Sequence, residues 1–116
     1  MAKINIKVSI YSEEKHIVFE TTAHYQEDNR VLTYKEEDNT LVKYYYDKGI
    51  LTRENEAISL EYNFINNELT TGKILIKDLK KVLNLNIYTM SITYNNNSIE
   101  IHYKIEEEFT YKVEVI

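Results

Sequence analysis

The sequence predicts an all-β domain, an antiparallel up-and-down meander closed into a barrel of about eight to ten strands. Three observations predict it. Apolar and polar residues alternate with a period of two, most cleanly where Ile4, Ile6, Val8 and Ile10 interleave with Lys3, Asn5, Lys7 and Ser9. Polar turns rich in asparagine and aspartate recur at near-even spacing. The single helical candidate, Lys77 to Lys81, is too short to stand alone and reads as a connection. A two-sheet sandwich shares these local signs. Successive hairpins, and the need to leave no unpaired edge in a chain rich in β-branched and aromatic residues, favour closure.

Taken in order, residues 3 to 11 form the first strand and Ser12-Glu13-Glu14-Lys15 turns it. His16 to Gln26 follows, with Ile17, Phe19, Thr21, Ala23 and Tyr25 on one face; Val18 on the other suggests cover on both sides. Arg30 to Glu37 is the third strand, with Leu32 and Tyr34 in phase, and Thr40 to Tyr46 the fourth. Asp47-Lys48-Gly49 is a tight turn, its glycine free to take a positive φ, and leads into Ile50 to Arg53. Ala57 to Phe64 places Ile58, Leu60, Tyr62 and Phe64 on one face, and after Asn66-Asn67 the alternation restarts at Leu69. In the next long strand, Leu83, Leu85 and Ile87 share one parity while Tyr88, Met90 and Ile92 share the other. This predicts a bulge near Ile87-Tyr88 or cover on both faces. Ser98 to Ile105 and Phe109 to Ile116 complete the chain, joined by the acidic turn Glu106-Glu107-Glu108.

The 116 residues are read as a single domain, 1–116, able to bury about two thirds of the surface the unfolded chain exposes. With no cysteine there is neither a disulfide nor a thiolate metal site. The polar-apolar alternation at the start is unlike an export signal and no window has membrane-spanning length, so a cytoplasmic setting with no membrane partner is expected. A net charge of -5 argues against nucleic acid. Proline is absent and there are two glycines, where average usage gives about six and about eight, so asparagine must make many of the turns.

No catalytic constellation has its required spacing: there is no phosphate-binding glycine loop, cysteine nucleophile or serine elbow. His16 and His24 lie eight residues apart, about 26 Å along a strand and too far to share a metal. A cross-strand site of His24, His102 and a carboxylate is conceivable, but surface histidines are the simpler account; no metal and no cofactor are expected. Glu106-Glu107-Glu108 has the oxygen ligands a hard cation takes and is more simply a solvated turn.

In layout the chain resembles the YwiB-like family of small bacterial proteins. The resemblance is carried by Tyr34 in Leu32-Thr33-Tyr34, Arg53 after the Asp-Lys-Gly turn, Phe64 closing the next strand, and Thr71-Gly72 in the one after. It spans nearly the whole chain and implies a calycin-like (lipocalin-type) barrel, a bacterial cytosolic setting, and no established biochemical function. One departure is that Lys77-Asp78-Leu79-Lys80 stands where the family commonly has a Thr-Pro-Tyr-Gly-like turn.

A calycin-like layout with eleven tyrosines suggests a lumen or mouth lined by Tyr34, Tyr45 and Tyr62 with Arg53 at its base. A guanidinium among rings can hold a carboxylate bidentately while the rings cover an apolar body. The expected function is binding of a small, partly apolar or anionic ligand, without catalysis. The alternative is a protein-interaction or self-association module, monomer or homodimer. Two plainer accounts compete: Arg53 in an exterior ion pair with Glu54, Glu61 or a neighbouring strand, and a lumen filled by its own side chains.

Overall fold

The computed structural model describes residues 2–116. It contains ten strands: β1 (Ala2–Tyr11), β2 (His16–Gln26), β3 (Val31–Lys35), β4 (Leu41–Tyr45), β5 (Ile50–Glu54), β6 (Ile58–Asn63), β7 (Leu69–Ile76), β8 (Lys81–Tyr94), β9 (Ser98–Ile105) and β10 (Glu107–Val115). Each pairs antiparallel with its chain neighbours, and β1 closes the barrel on β10 through Ile6 opposite Val115 to Tyr11 opposite Thr110. Every strand thus has two hydrogen-bonded neighbours, which removes the edges that otherwise recruit other chains.

The period-two pattern decides which side chains point inward. Ile6, Val8, Leu32, Val42, Tyr44, Phe64, Ile99, Ile101 and Val113 are buried in the lumen, while Lys3, Asn5 and Lys7 lie exposed outside. The expected cover over Val18 is absent: that residue is 43% exposed on the outer face. The parity switch in β8 is real but lies later than expected, at a register shift between Thr89 and Ser91. Ile87 and Thr89 are buried on one side of this irregularity, and Ile92 packs on the core beyond it.

Turns carry the residues with positive φ. Asn39, Asn67 and Gly49 are among them, as their chemistry favours, but so are Arg30, Lys80 and Glu106. At Gly49 (φ 65°) an added Cβ would lie 2.3 Å from the Phe64 carbonyl oxygen, so both the dihedral and the close backbone approach require glycine. Lys77 to Lys80 forms a turn, with Lys80 N–H bonded to the Lys77 carbonyl at 3.2 Å. Lys77 itself reaches Glu54 at 3.0 Å and the Asn55 carbonyl at 2.8 Å. No helix long and apolar enough to cross a membrane occurs among the described residues.

The two ends of the lumen differ. The end that carries the β2–β3, β4–β5, β6–β7 and β8–β9 turns is plugged by aromatic rings. The Tyr44 hydroxyl meets that of Tyr94 at 2.8 Å, and Tyr46 packs edge-on to both Tyr25 and Tyr44 at centroid distances of 5.9 and 5.0 Å. Arg30 lies 5.7 Å above the Tyr46 ring and binds Asp47 at 2.7 Å. The opposite end is hollow.

Candidate functional site

The hollow end holds a half-enclosed cavity of about 540 Å³, within the size range of small-molecule sites. Its wall is built by inward positions of β1 to β6, β9 and β10: Ile10, Phe19, Tyr34, Val42, Leu51, Arg53, Tyr62, Tyr103, Phe109 and Tyr111. Lys15, Glu36, Glu37 and Asp38, from the turns at this end, stand around its rim.

Register explains the arrangement. Tyr34 pairs with Val42, Val42 with Arg53, and Arg53 with Leu60, so one row of side chains crosses β3 to β6 at the same height and faces inward. One row further in, Leu51 pairs with Tyr62. Tyr62 can keep its place because its neighbour on β7 is Gly72, where an added Cβ would lie 3.0 Å from the Tyr62 ring and 2.7 Å from Ile87 Cδ1. Across the lumen, Tyr103 stacks on Phe109 at 5.3 Å and contacts Phe64 and Tyr62 at 5.0 and 6.2 Å. Phe19 lies 6.3 Å from the Tyr34 ring.

The polar groups are few and mostly satisfied inside the barrel. Tyr34 and Tyr111, on strands that are not neighbours, join hydroxyl to hydroxyl across the lumen. Burial raises the hydroxyls of Tyr34, Tyr62, Tyr103 and Tyr111 above the ordinary tyrosine value, so all four stay neutral near pH 7. For Tyr62 the charge of Arg53 opposes this shift without cancelling it.

Arg53 bonds Glu36 through its Nη2. Burial works against the charge of this guanidinium, but the bond to Glu36 and its charge more than offset that, and the Arg53 value is raised. Its Nε is buried with no hydrogen-bond partner. Asp38 is held below the usual carboxylate range chiefly by hydrogen bonds from Thr40, whose backbone N–H lies 3.1 Å away.

Three of the four sequence-predicted site residues meet in one place: Tyr34, Tyr62 and Arg53. Arg53 is not at the base of the lumen, where it is expected; it lies one row nearer the mouth than Tyr62, because β5 runs toward the open end. Tyr45 does not join them. It alternates with the inward Tyr44 and Val42, so it lies on the outer face, in a separate polar groove with His24, Thr33 and Lys43. The exterior ion pair considered for Arg53, with Glu54, Glu61 or a neighbouring strand, is not the one formed: the partner is Glu36, in the turn after β3 at the cavity, while the strands beside β5 are β4 and β6.

Sequence reasoning missed Glu36, Tyr103 and Tyr111. The signal was present in the alternation: Glu36 shares the parity of Leu32 and Tyr34, and Tyr103 and Tyr111 that of their inward neighbours. His24 and His102 lie on strands separated by β1 and β10, with His102 bonded to Thr110 at 3.0 Å. Among the described residues, no group of three or more histidine, aspartate and glutamate side chains is placed to hold a metal ion.

Comparison with protein-family models finds no match, and neither does comparison with curated proteins. Among solved structures, the chain matches the crystal structure of the YwiB protein from Bacillus subtilis. The TM-score is 0.59, at 20% identity, over 98% of this chain and 90% of that one. At that identity the likeness establishes the fold, and in fold the chain is a YwiB-like β-barrel.

Proposed function

We propose that this protein binds a small, partly apolar ligand in the open end of its barrel, and that it binds without catalysing a reaction. The observation that carries this reading is the cavity of about 540 Å³, walled by aromatic and aliphatic side chains with the Arg53–Glu36 pair among them. A barrel whose only task was to be stable could fill both ends, as this one fills the end around Tyr44 and Tyr94. The proposal includes a cytosolic setting free of membrane and nucleic acid. The outer face bears Lys3, Lys7 and Lys104 where a membrane barrel would carry an apolar band, which supports the absence of a membrane partner, and the net charge of -5 counts against nucleic acid.

The test is an NMR titration of the labelled protein against a panel of small aromatic and aliphatic compounds that are neutral, anionic, cationic or zwitterionic. Binding is expected to move the ring signals of Tyr62, Tyr103 and Phe109 while leaving those of Tyr44 and Tyr94 in place. A panel that moves none of the cavity signals at millimolar concentration overturns the reading.

The alternative, a surface for a partner protein or a second copy, is supported by Leu69 and Tyr88, which face each other exposed on β7 and β8. Two residues make a small apolar patch. Light scattering during gel filtration tests the self-association form, which predicts a dimer that dissociates when Leu69 is changed to lysine.

A further inference from the structure

Arg53 and Glu36 form the one ion pair enclosed by the cavity among the described residues. Their side chains are 34% and 12% exposed, so both can be reached from the lumen but neither is solvated as a surface charge would be. The pair is joined through the Arg53 Nη2, and the Arg53 Nε has no partner at all. A guanidinium offers five donors in a fork that fits a carboxylate bidentately, so this one is under-used.

Three kinds of charged ligand differ in what they would leave behind. A lone carboxylate that shared Arg53 with Glu36 would set two anions side by side on one guanidinium, and one that displaced Glu36 would strand it as an uncompensated anion beside Tyr34 and Tyr111. A lone ammonium that took Glu36 would strand Arg53 in the same way, and breaking a buried pair by occupying only one partner is strongly unfavourable. A ligand carrying both charges opens the pair and satisfies each half. The rim adds nothing that favours an anion, because Lys15 is outnumbered there by Glu37 and Asp38.

We propose that the occupant of the cavity is a small zwitterion of α-amino-acid type with an apolar or aromatic side group. Its carboxylate takes Arg53, its ammonium takes Glu36, and its side group lies among Phe19, Tyr62, Tyr103 and Phe109. The tyrosine faces also favour the ammonium electrostatically. This inference rests on the reading of the cavity as a binding site.

The test compares four compounds of one shape by NMR titration: L-phenylalanine, 3-phenylpropionate, 2-phenylethylamine and 3-phenylpropan-1-ol. Phenylalanine is expected to bind at least about tenfold more tightly than any of the others. Glu36→Gln should weaken phenylalanine and strengthen 3-phenylpropionate, reversing their order, and Arg53→Gln should likewise weaken phenylalanine and strengthen 2-phenylethylamine. If either variant fails to fold, the four-compound comparison on the native protein decides alone. A singly charged or neutral compound that binds as tightly as phenylalanine overturns the zwitterion while leaving the cavity as a binding site. If none of the four binds, the zwitterion is again overturned, and the site itself falls only if the wider panel is silent too.

Discussion

The hydroxyl pair of Tyr34 and Tyr111 joins β3 to β10 across the lumen, where no backbone ladder connects them. Removing one hydroxyl by Tyr34→Phe or Tyr111→Phe leaves the other buried without a partner, at a cost of about 1–3 kcal/mol. Removing both leaves nothing unsatisfied, so the double variant should lose clearly less than the sum of the singles. Urea denaturation of all four proteins measures the coupling; additive losses would mean that the two hydroxyls do not support each other. The same scale shows how a candidate residue can be misjudged. Tyr44, Tyr45 and Tyr46 are identical in type, and only the alternation that runs along β4 and into the turn after it distinguishes them. Val42 and Tyr44 are buried in the lumen, which sends Tyr45 outward. Glu36 shows the opposite case. A carboxylate in the phase of an inward face looks like an error in the pattern, and here it is the partner of Arg53.

Among the elements, the β6–β7 hairpin shapes the cavity wall at Tyr62. Gly72 on β7 leaves room for the Tyr62 ring on β6, and its conformation is ordinary, so what it supplies is space. Gly72→Ala would press a methyl group against Tyr62, Ile87 and the Glu61 carbonyl oxygen at 2.7 to 3.1 Å. Overpacking of this kind costs about 1–3 kcal/mol, and displacement of Tyr62 should also disturb ligand binding. A drop in melting temperature with altered Tyr62 ring signals is the expected outcome; a variant as stable as the native protein would show that the wall yields freely. Strand existence and order were legible because each strand has one face in water and one in the lumen, which writes a period of two into the sequence. Turn geometry was less legible. The positive φ values at Asn39 and Asn67 follow from side-chain chemistry, whereas those at Arg30, Lys80 and Glu106 are imposed by the connections that the closed barrel requires. The bulge in β8 was visible as a change of parity, but periodicity locates such a change only to within a residue or two. It lies between Thr89 and Ser91.

At the scale of the whole molecule, the barrel depends on neutral buried tyrosines, and this sets a limit at high pH. Burial raises the hydroxyls of Tyr34, Tyr44, Tyr46, Tyr62, Tyr103 and Tyr111, that of Tyr46 to about 12. Above the ordinary tyrosine value of about 10, the unfolded chain loses protons that the folded one retains, so ionisation favours unfolding. This part of the stability is fully present below about pH 10 and is lost progressively as the pH climbs beyond it. The urea midpoint should therefore fall between about pH 10 and 12, with the absorbance change of these six rings appearing in the unfolding transition. A midpoint unchanged across that range would mean that the rings are not buried as described.

What the sequence determined by itself was the class and layout: about eight to ten short strands in an antiparallel meander, with Tyr34 in phase with Leu32 and Tyr62 in phase with Leu60 and Phe64, while the direction of Arg53 was left open. Alternation is a local property, and it survives in one dimension. Only the tertiary structure decided that the barrel is plugged at the Tyr44 and Tyr94 end and hollow at the other, and that Glu36 meets Arg53 within it. Those facts depend on how side chains from strands far apart in the chain fill a shared volume. Packing across a closed lumen leaves no periodic trace in any one strand.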